Sequence, residues 1–135
     1  GIAEACVGLA RESVGSRRHS HTGELLGAEP VVAHRLGQLW VRVQGAAGIL
    51  ENATAAADAG DPDALMGILA SKVAAVDAAA DTANEAMTLA GGRAYGANSK
   101  LARMLRDARA GHVMAPTTDM LLTWIGRAQL GLPLL

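Results

Sequence analysis

Gly60-Asp61-Pro62-Asp63 separates two long runs of periodic apolar residues. Glycine ends a helix cheaply, because without a Cβ it takes a left-handed conformation at little cost. An aspartate accepts hydrogen bonds from the free N–H groups of a helix start, and proline suits the first helical position, where its missing N–H loses nothing. The four residues therefore predict a stop followed at once by a start, with Asp61 as cap and Pro62 as first helical residue. Upstream, Val32, Leu36, Leu39, Val43, Ala46, Leu50, Ala53 and Ala57 alternate intervals of four and three, and downstream Leu69, Val73, Val76, Ala80, Ala83, Met87 and Ala90 repeat the alternation. That is the spacing of a helix-bundle seam. Two helices, roughly 30 to 59 and 62 to 90, are predicted to pack antiparallel through these seams over about 45 Å. Gly37, Gly45 and Gly48 lie inside the first of them. Each costs about 1 kcal/mol relative to Ala, and they read equally well as close approach of a neighbour or as simple tolerance.

Outward from the hairpin the pattern stays helical. Ile2, Cys6 and Leu9, with Val7, Ala10 and Val14, predict a first helix over 2 to 18. A polar stretch broken by Gly23 and Gly27 follows, and Glu29-Pro30 opens the long helix. Gly91-Gly92 closes the second long helix with a left-handed end, residues 99 to 110 form a shorter basic helix, and Pro116-Thr117 opens the last, which carries Leu121, Leu122, Ile125 and Leu130. The expected fold is all-α, an up-and-down four-helix bundle with one additional short helix, built as one domain over residues 1 to 135.

Composition narrows the function. Half of the 135 residues are apolar but only 2% are aromatic, with no Phe, so the core is made of Ala, Leu, Val, Ile and Met, which favours close-packed helices. A formal charge of −1, from 12 basic and 13 acidic groups, lacks the positive field that nucleic acid or an anionic membrane requires. No stretch approaches the ~20 apolar residues of a membrane span. Cys6 is alone, which precludes an intramolecular disulfide, fits a reducing cytoplasm and reads as a small buried side chain. The chain starts at Gly1 inside or just before an amphipathic helix and reads as the C-terminal part of a longer protein.

Motifs of self-contained chemistry are missing. A di-iron bundle needs Glu-x-x-His pairs, and none of His19, His21, His34 and His112 stands three residues after a Glu, so no metal site is expected. Nucleophile-elbow, Walker and dinucleotide-loop patterns are absent too. Arg103, Arg106, Asp107 and Arg109 read as a solvated face with a local ion pair rather than an anion site.

Three segments carry a resemblance: Leu89-Ala90-Gly91-Gly92, then, after thirteen intervening residues, Arg106-Asp107-Ala108-Arg109, then Met114-Ala115-Pro116-Thr117-Thr118-Asp119. In order and spacing, together with Ile125-Gly126-Arg127-Ala128, they resemble the C-terminal helical domain of the acyl-CoA dehydrogenase family. The resemblance implies FAD as cofactor, an acyl-CoA thioester as substrate for α,β-dehydrogenation, and a homo-oligomer, dimer or tetramer, assembled through this bundle. It implies that Gly91 and Gly92 contact the FAD of a neighbouring subunit, with Thr88 in place of the Gln frequent in the family. It also implies that Arg18 reaches the FAD phosphate across the interface and that Thr117, with Thr118, contacts the flavin. Pro30 stands where many members carry a flavin-contacting Gln. Ala115 replaces the Glu that serves the family as base; it has no titratable group and cannot abstract a proton. The base is then expected upstream of Gly1, where some members carry it. Two alternatives follow: a flavin-dependent monooxygenase or N-hydroxylase of the same fold, which needs no such base, and a non-catalytic helical assembly module.

Overall fold

The computed structural model describes residues 1–134. The described residues form five α-helices: α1 (Ile2–Ser16), α2 (Pro30–Asp58), α3 (Ala64–Ala90), α4 (Lys100–Val113) and α5 (Thr118–Gln129). Single 3₁₀ turns, Leu26–Ala28 and Gly92–Tyr95, lie before α2 and after α3. The all-α expectation holds, with no strand among the described residues and one isolated bridge between Arg18 and Leu25.

Side-chain contacts fix the helix directions. The carboxyl end of α1 meets that of α3, where Arg17 donates to the Ala90 carbonyl at 2.8 Å, so α1 and α3 run parallel. Arg35 of α2 reaches Glu85 of α3 at 3.2 Å and Arg42 reaches Asp81 at 3.7 Å, which sets α2 antiparallel to α3. The start of α4 lies beside the carboxyl ends of α1 and α3, where Lys100, Ser16 and Ala90 line one groove, while His112 near its end meets Asp77 of α3, so α4 also runs against α3. α1 to α4 thus alternate up and down, and α5 lies against α3 and α4 as the additional helix.

The hairpin turn ends later than the sequence predicts. Gly60, at φ +69, ends α2: its N–H bonds to the Ala57 carbonyl and that of Asp61 to the Ala56 carbonyl, each at 3.0 Å. This double bond pattern satisfies two carbonyls that the helix leaves free. The Asp61 carboxylate then accepts from the Asp63 N–H at 2.9 Å, which keeps Pro62 and Asp63 in the turn and delays α3 to Ala64. α1 likewise stops two residues short of its expected end. Leu26 N–H bonds to the Arg17 carbonyl at 2.8 Å and His19 N–H to the Glu24 carbonyl at 2.9 Å, a non-local pairing that pulls Arg17 and Arg18 into extended backbone. α4 begins where Ser99 accepts from Ala102 N–H at 3.3 Å, as a serine cap should.

The core lies around α3, which touches all four other helices. Leu39, Cys6, Ala10, Ala83, Ala86 and Leu121 are fully enclosed. The two seams meet through Leu39, Val43, Val73, Ala83 and Met87, but Leu50 is half exposed and Ala57 lies at the surface. Val76 faces α4: a Cβ on Gly111 would lie 2.8 Å from Val76 Cγ2, so Gly111 is the residue that lets α4 approach. Gly37, Gly45 and Gly48 have nothing within 4 Å of such a Cβ, so within the chain they are tolerated rather than required. Burial pushes the Cys6 thiol up to about 11, and its sulfur rests 3.7 Å from Met104 Sδ. Arg103, Arg106, Asp107 and Arg109 are exposed as expected, but among the described residues no ion pair joins them. Arg103 precedes Asp107 by one turn, the less favourable order for an i,i+4 pair.

Candidate functional site

Two separate places gather the residues singled out from the sequence. The first is the carboxyl end of α3. Gly91 sits at φ +72 and ψ −165, so the left-handed expectation holds in φ, while ψ sends the chain outward in a region essentially reserved for glycine. Its N–H bonds to the carbonyls of Met87 and Thr88, and its own carbonyl accepts from Ala94 to begin the 3₁₀ turn. Gly92 has ordinary φ, and nothing lies within 4 Å of where its Cβ would be, so its backbone faces open space.

A guanidinium lies over this turn, and it belongs to Arg17. Arg17 Nη1 donates to the carbonyls of Ala90 at 2.8 Å and Leu89 at 3.5 Å, placing a cation on the negative end of the α3 dipole. A Cβ on Gly91 would stand 3.2 Å from that nitrogen. Arg18 turns the other way and closes its own loop by donating to the Gly23 carbonyl at 2.8 Å. Thr88 is exposed beside the turn, its hydroxyl directed at the Asn84 carbonyl at 3.4 Å. Grooves of about 350 Å³ flank Arg17 on either side. One is lined by Val31, Val32, Arg35, Thr88 and Gly91, the other by Ser13, Ser16, Arg93, Ser99 and Lys100. Four cations, Arg17, Arg35, Arg93 and Lys100, line these grooves with Glu12, while Glu85 holds Arg35. Exposed glycine backbone among cations is the chemistry that receives an anionic ligand such as a pyrophosphate. The resemblance puts Arg17 and Arg18 together before Gly23 and favours Arg18; it is Arg17 that lies at the turn.

The second place is the α4–α5 connection. Met114 ends α4, and Thr117 caps α5 by accepting from Met120 N–H at 3.3 Å. Ala115 is exposed, Thr118 buried, and Asp119 exposed in the first turn of the helix. Lys72 of α3 donates to the carbonyls of Met114 at 3.1 Å and Pro116 at 2.6 Å. From Lys72 to Gly91 is nineteen residues, about 28 Å of helix. Thr88, Gly91 and Gly92 therefore come together with Arg17, while Thr117 stands apart near the far half of α3. No group of three or more His, Cys, Asp or Glu able to hold a metal occurs among the described residues, and no helix there is long and apolar enough to cross a membrane.

Known proteins share this architecture. The family model of the acyl-CoA dehydrogenase C-terminal domain matches residues 1–130. Among solved structures, butyryl-CoA dehydrogenase from Megasphaera elsdenii superposes with a TM-score of 0.89 at 26% identity, over 96% of this chain and 33% of that one. Acyl-CoA dehydrogenase from Geobacillus kaustophilus gives 0.88 at 25% identity, over 97% of this chain and 33% of that one. FkbI, a protein for biosynthesis of a methoxymalonyl extender unit, gives 0.81 at 26%, over 98% and 34%. The chain spans about a third of the length of each. No curated protein is detectably similar to it. On the match across nearly all its length and the shared five-helix fold, the chain belongs to the acyl-CoA dehydrogenase family, as its C-terminal domain.

Proposed function

We propose that the chain is the C-terminal part of an FAD-dependent oxidoreductase that dehydrogenates an acyl-CoA thioester between its α and β carbons. The observation that carries this reading is the α3 terminus, where open glycine backbone lies beside the Arg17 guanidinium. These residues fit the flavin's pyrophosphate: Gly91 and Gly92 would offer backbone, and Arg17 charge. Thr117 and Thr118 would line the flavin at the start of α5, a helix N-terminus that favours negative charge. Once bound, FAD supplies the hydride-accepting centre. Roughly 28 Å separates the two places, which supports their serving two different flavins, as in a homo-oligomer. The outer side of α2, with Val31, Trp40 and Val41 each more than half exposed, supports the same assembly. Trp124, by contrast, is half-buried. No base stands at residue 115, so the proton acceptor lies outside this chain.

Ala115 also favours a second reading, a flavin-dependent monooxygenase or N-hydroxylase on the same fold, whose chemistry needs no α-proton base. Anaerobic bleaching of the flavin by acyl-CoA, with full-length enzyme, is the result expected of a dehydrogenase. Oxygen-dependent product without anaerobic bleaching would sink that reading and promote the oxygenase. The cofactor role of the turn has its own test. Because a Cβ at Gly92 meets nothing within 4 Å and its φ is ordinary, Gly92→Val should leave the melting temperature unchanged while lowering FAD affinity about tenfold, ~1.4 kcal/mol. Unaltered flavin binding would leave the turn only its helix-ending role.

A further inference from the structure

We infer that Lys72 is a positioning residue for the α4–α5 connection: by holding the carbonyls on both sides of Ala115, it sets where residue 115 and the start of α5 face the reacting ligand. The inference rests on the proposed function in taking that segment to border the flavin and substrate. Its structural half stands on geometry alone. The Lys72 ammonium donates to Met114 O at 3.1 Å and to Pro116 O at 2.6 Å, spanning residue 115 like a bracket. Among the described residues no other side chain donates to the backbone of 114 to 116. The segment hangs between two firm anchors. Ala108 is buried on α4, and Thr118 and Leu121 are buried on α5.

Local placement, more than global stability, is what this contact supplies. Met114 is 63% exposed and Pro116 only half-buried, so water can reach both residues when the lysine is gone, and a replaceable hydrogen bond contributes little to folding. A cation beside the last carbonyl of α4 is electrostatically favoured. Yet fixing two carbonyls two residues apart restricts the backbone torsions of residues 115 and 116, and through them the entry of Thr117 into α5. Misplacement of a reacting group by about 1 Å can cost a factor near a hundred in rate. Loss of the bracket should therefore be far more visible in turnover than in melting.

The experiment uses full-length, flavin-loaded protein with Lys72→Met, Lys72→Gln and Lys72→Arg. Two readouts are taken: kcat and KM for acyl-CoA, and amide hydrogen exchange over residues 114 to 120. In Lys72→Met, kcat should fall about tenfold or more with KM changed by less than about threefold. Exchange should accelerate in 114 to 120 but not in α1 or α2, and Lys72→Arg should restore most of the turnover. Wild-type exchange in Lys72→Met overturns the inference whatever turnover does. So does faster exchange with undiminished kcat, a loss confined to KM, or failure of both the Met and Gln variants to fold, since Lys72 would then support the whole domain. If the wild type does not dehydrogenate acyl-CoA, the proposed function fails by itself, and the exchange readout alone decides the role of Lys72.

Discussion

α2 and α3 carry the same four-three alternation over 29 and 27 residues, yet α3 buries nine of its residues and α2 only three. The pattern says that each helix has an apolar seam. It does not say how many neighbours will come. α3 receives α1, α2, α4 and α5 around its circumference, so residues off the seam, such as Ala78, Thr82, Ala86 and Leu89, are buried as well. α2 rests on α3 with only α1 and the 3₁₀ turn before it alongside, and leaves Val41, Ile49 and Leu50 in solvent. Periodicity thus marks which side of a helix turns inward, while its place in the assembly decides how much of it is buried.

The contrast breaks most readily at Val76. An aspartate there would leave an unpaired carboxylate beneath Gly111, and Val76→Asp should destabilise the chain by several kcal/mol in denaturant unfolding. A tolerated aspartate would show that α4 is not seated on α3. Gly111→Ala tests the same contact more finely. Alanine gains about 1 kcal/mol of helix propensity, but its Cβ would meet Val76 at 2.8 and 3.1 Å, and overpacking costs about 1–3 kcal/mol. The net expectation is a loss of about 1 kcal/mol; a gain would mean that the two helices move apart freely. On α2 the sign should reverse. Gly45 meets nothing within 4 Å, so Gly45→Ala should stabilise the isolated chain by just under ~1 kcal/mol. The same substitution weakening a full-length oligomer would identify a neighbouring subunit pressed against that face.

Much of this architecture was legible because its signals are local. Pro30, Gly60 and Thr117 act on their own few residues, and the helix starts and stops they imply fall within two residues of those observed. What escaped depends on contacts distant in sequence. The end of α1 moved because Arg18 pairs with Leu25. That shift also decided which arginine meets the glycine turn, since successive residues of extended backbone point to opposite sides. A helix continued through Arg18 would place both side chains differently. The paired glycines announced the end of α3, because backbone freedom is written in residue type. Lys72 announced nothing: a lysine on a helix looks the same whether its ammonium ends in water or on two carbonyls.

Cys6 offers a consequence of a different kind. Its thiol is enclosed between α1 and α4, against Met104, and burial pushes it up to about 11. At pH 8 only about one such thiol in a thousand is ionised while the helices stay closed. It is also the one cysteine in the sequence. A thiol reagent added to the native chain must therefore wait for α1 to lift from the bundle, and the pace of labelling becomes a clock for that breathing motion, with a single chemical hand and no introduced probe.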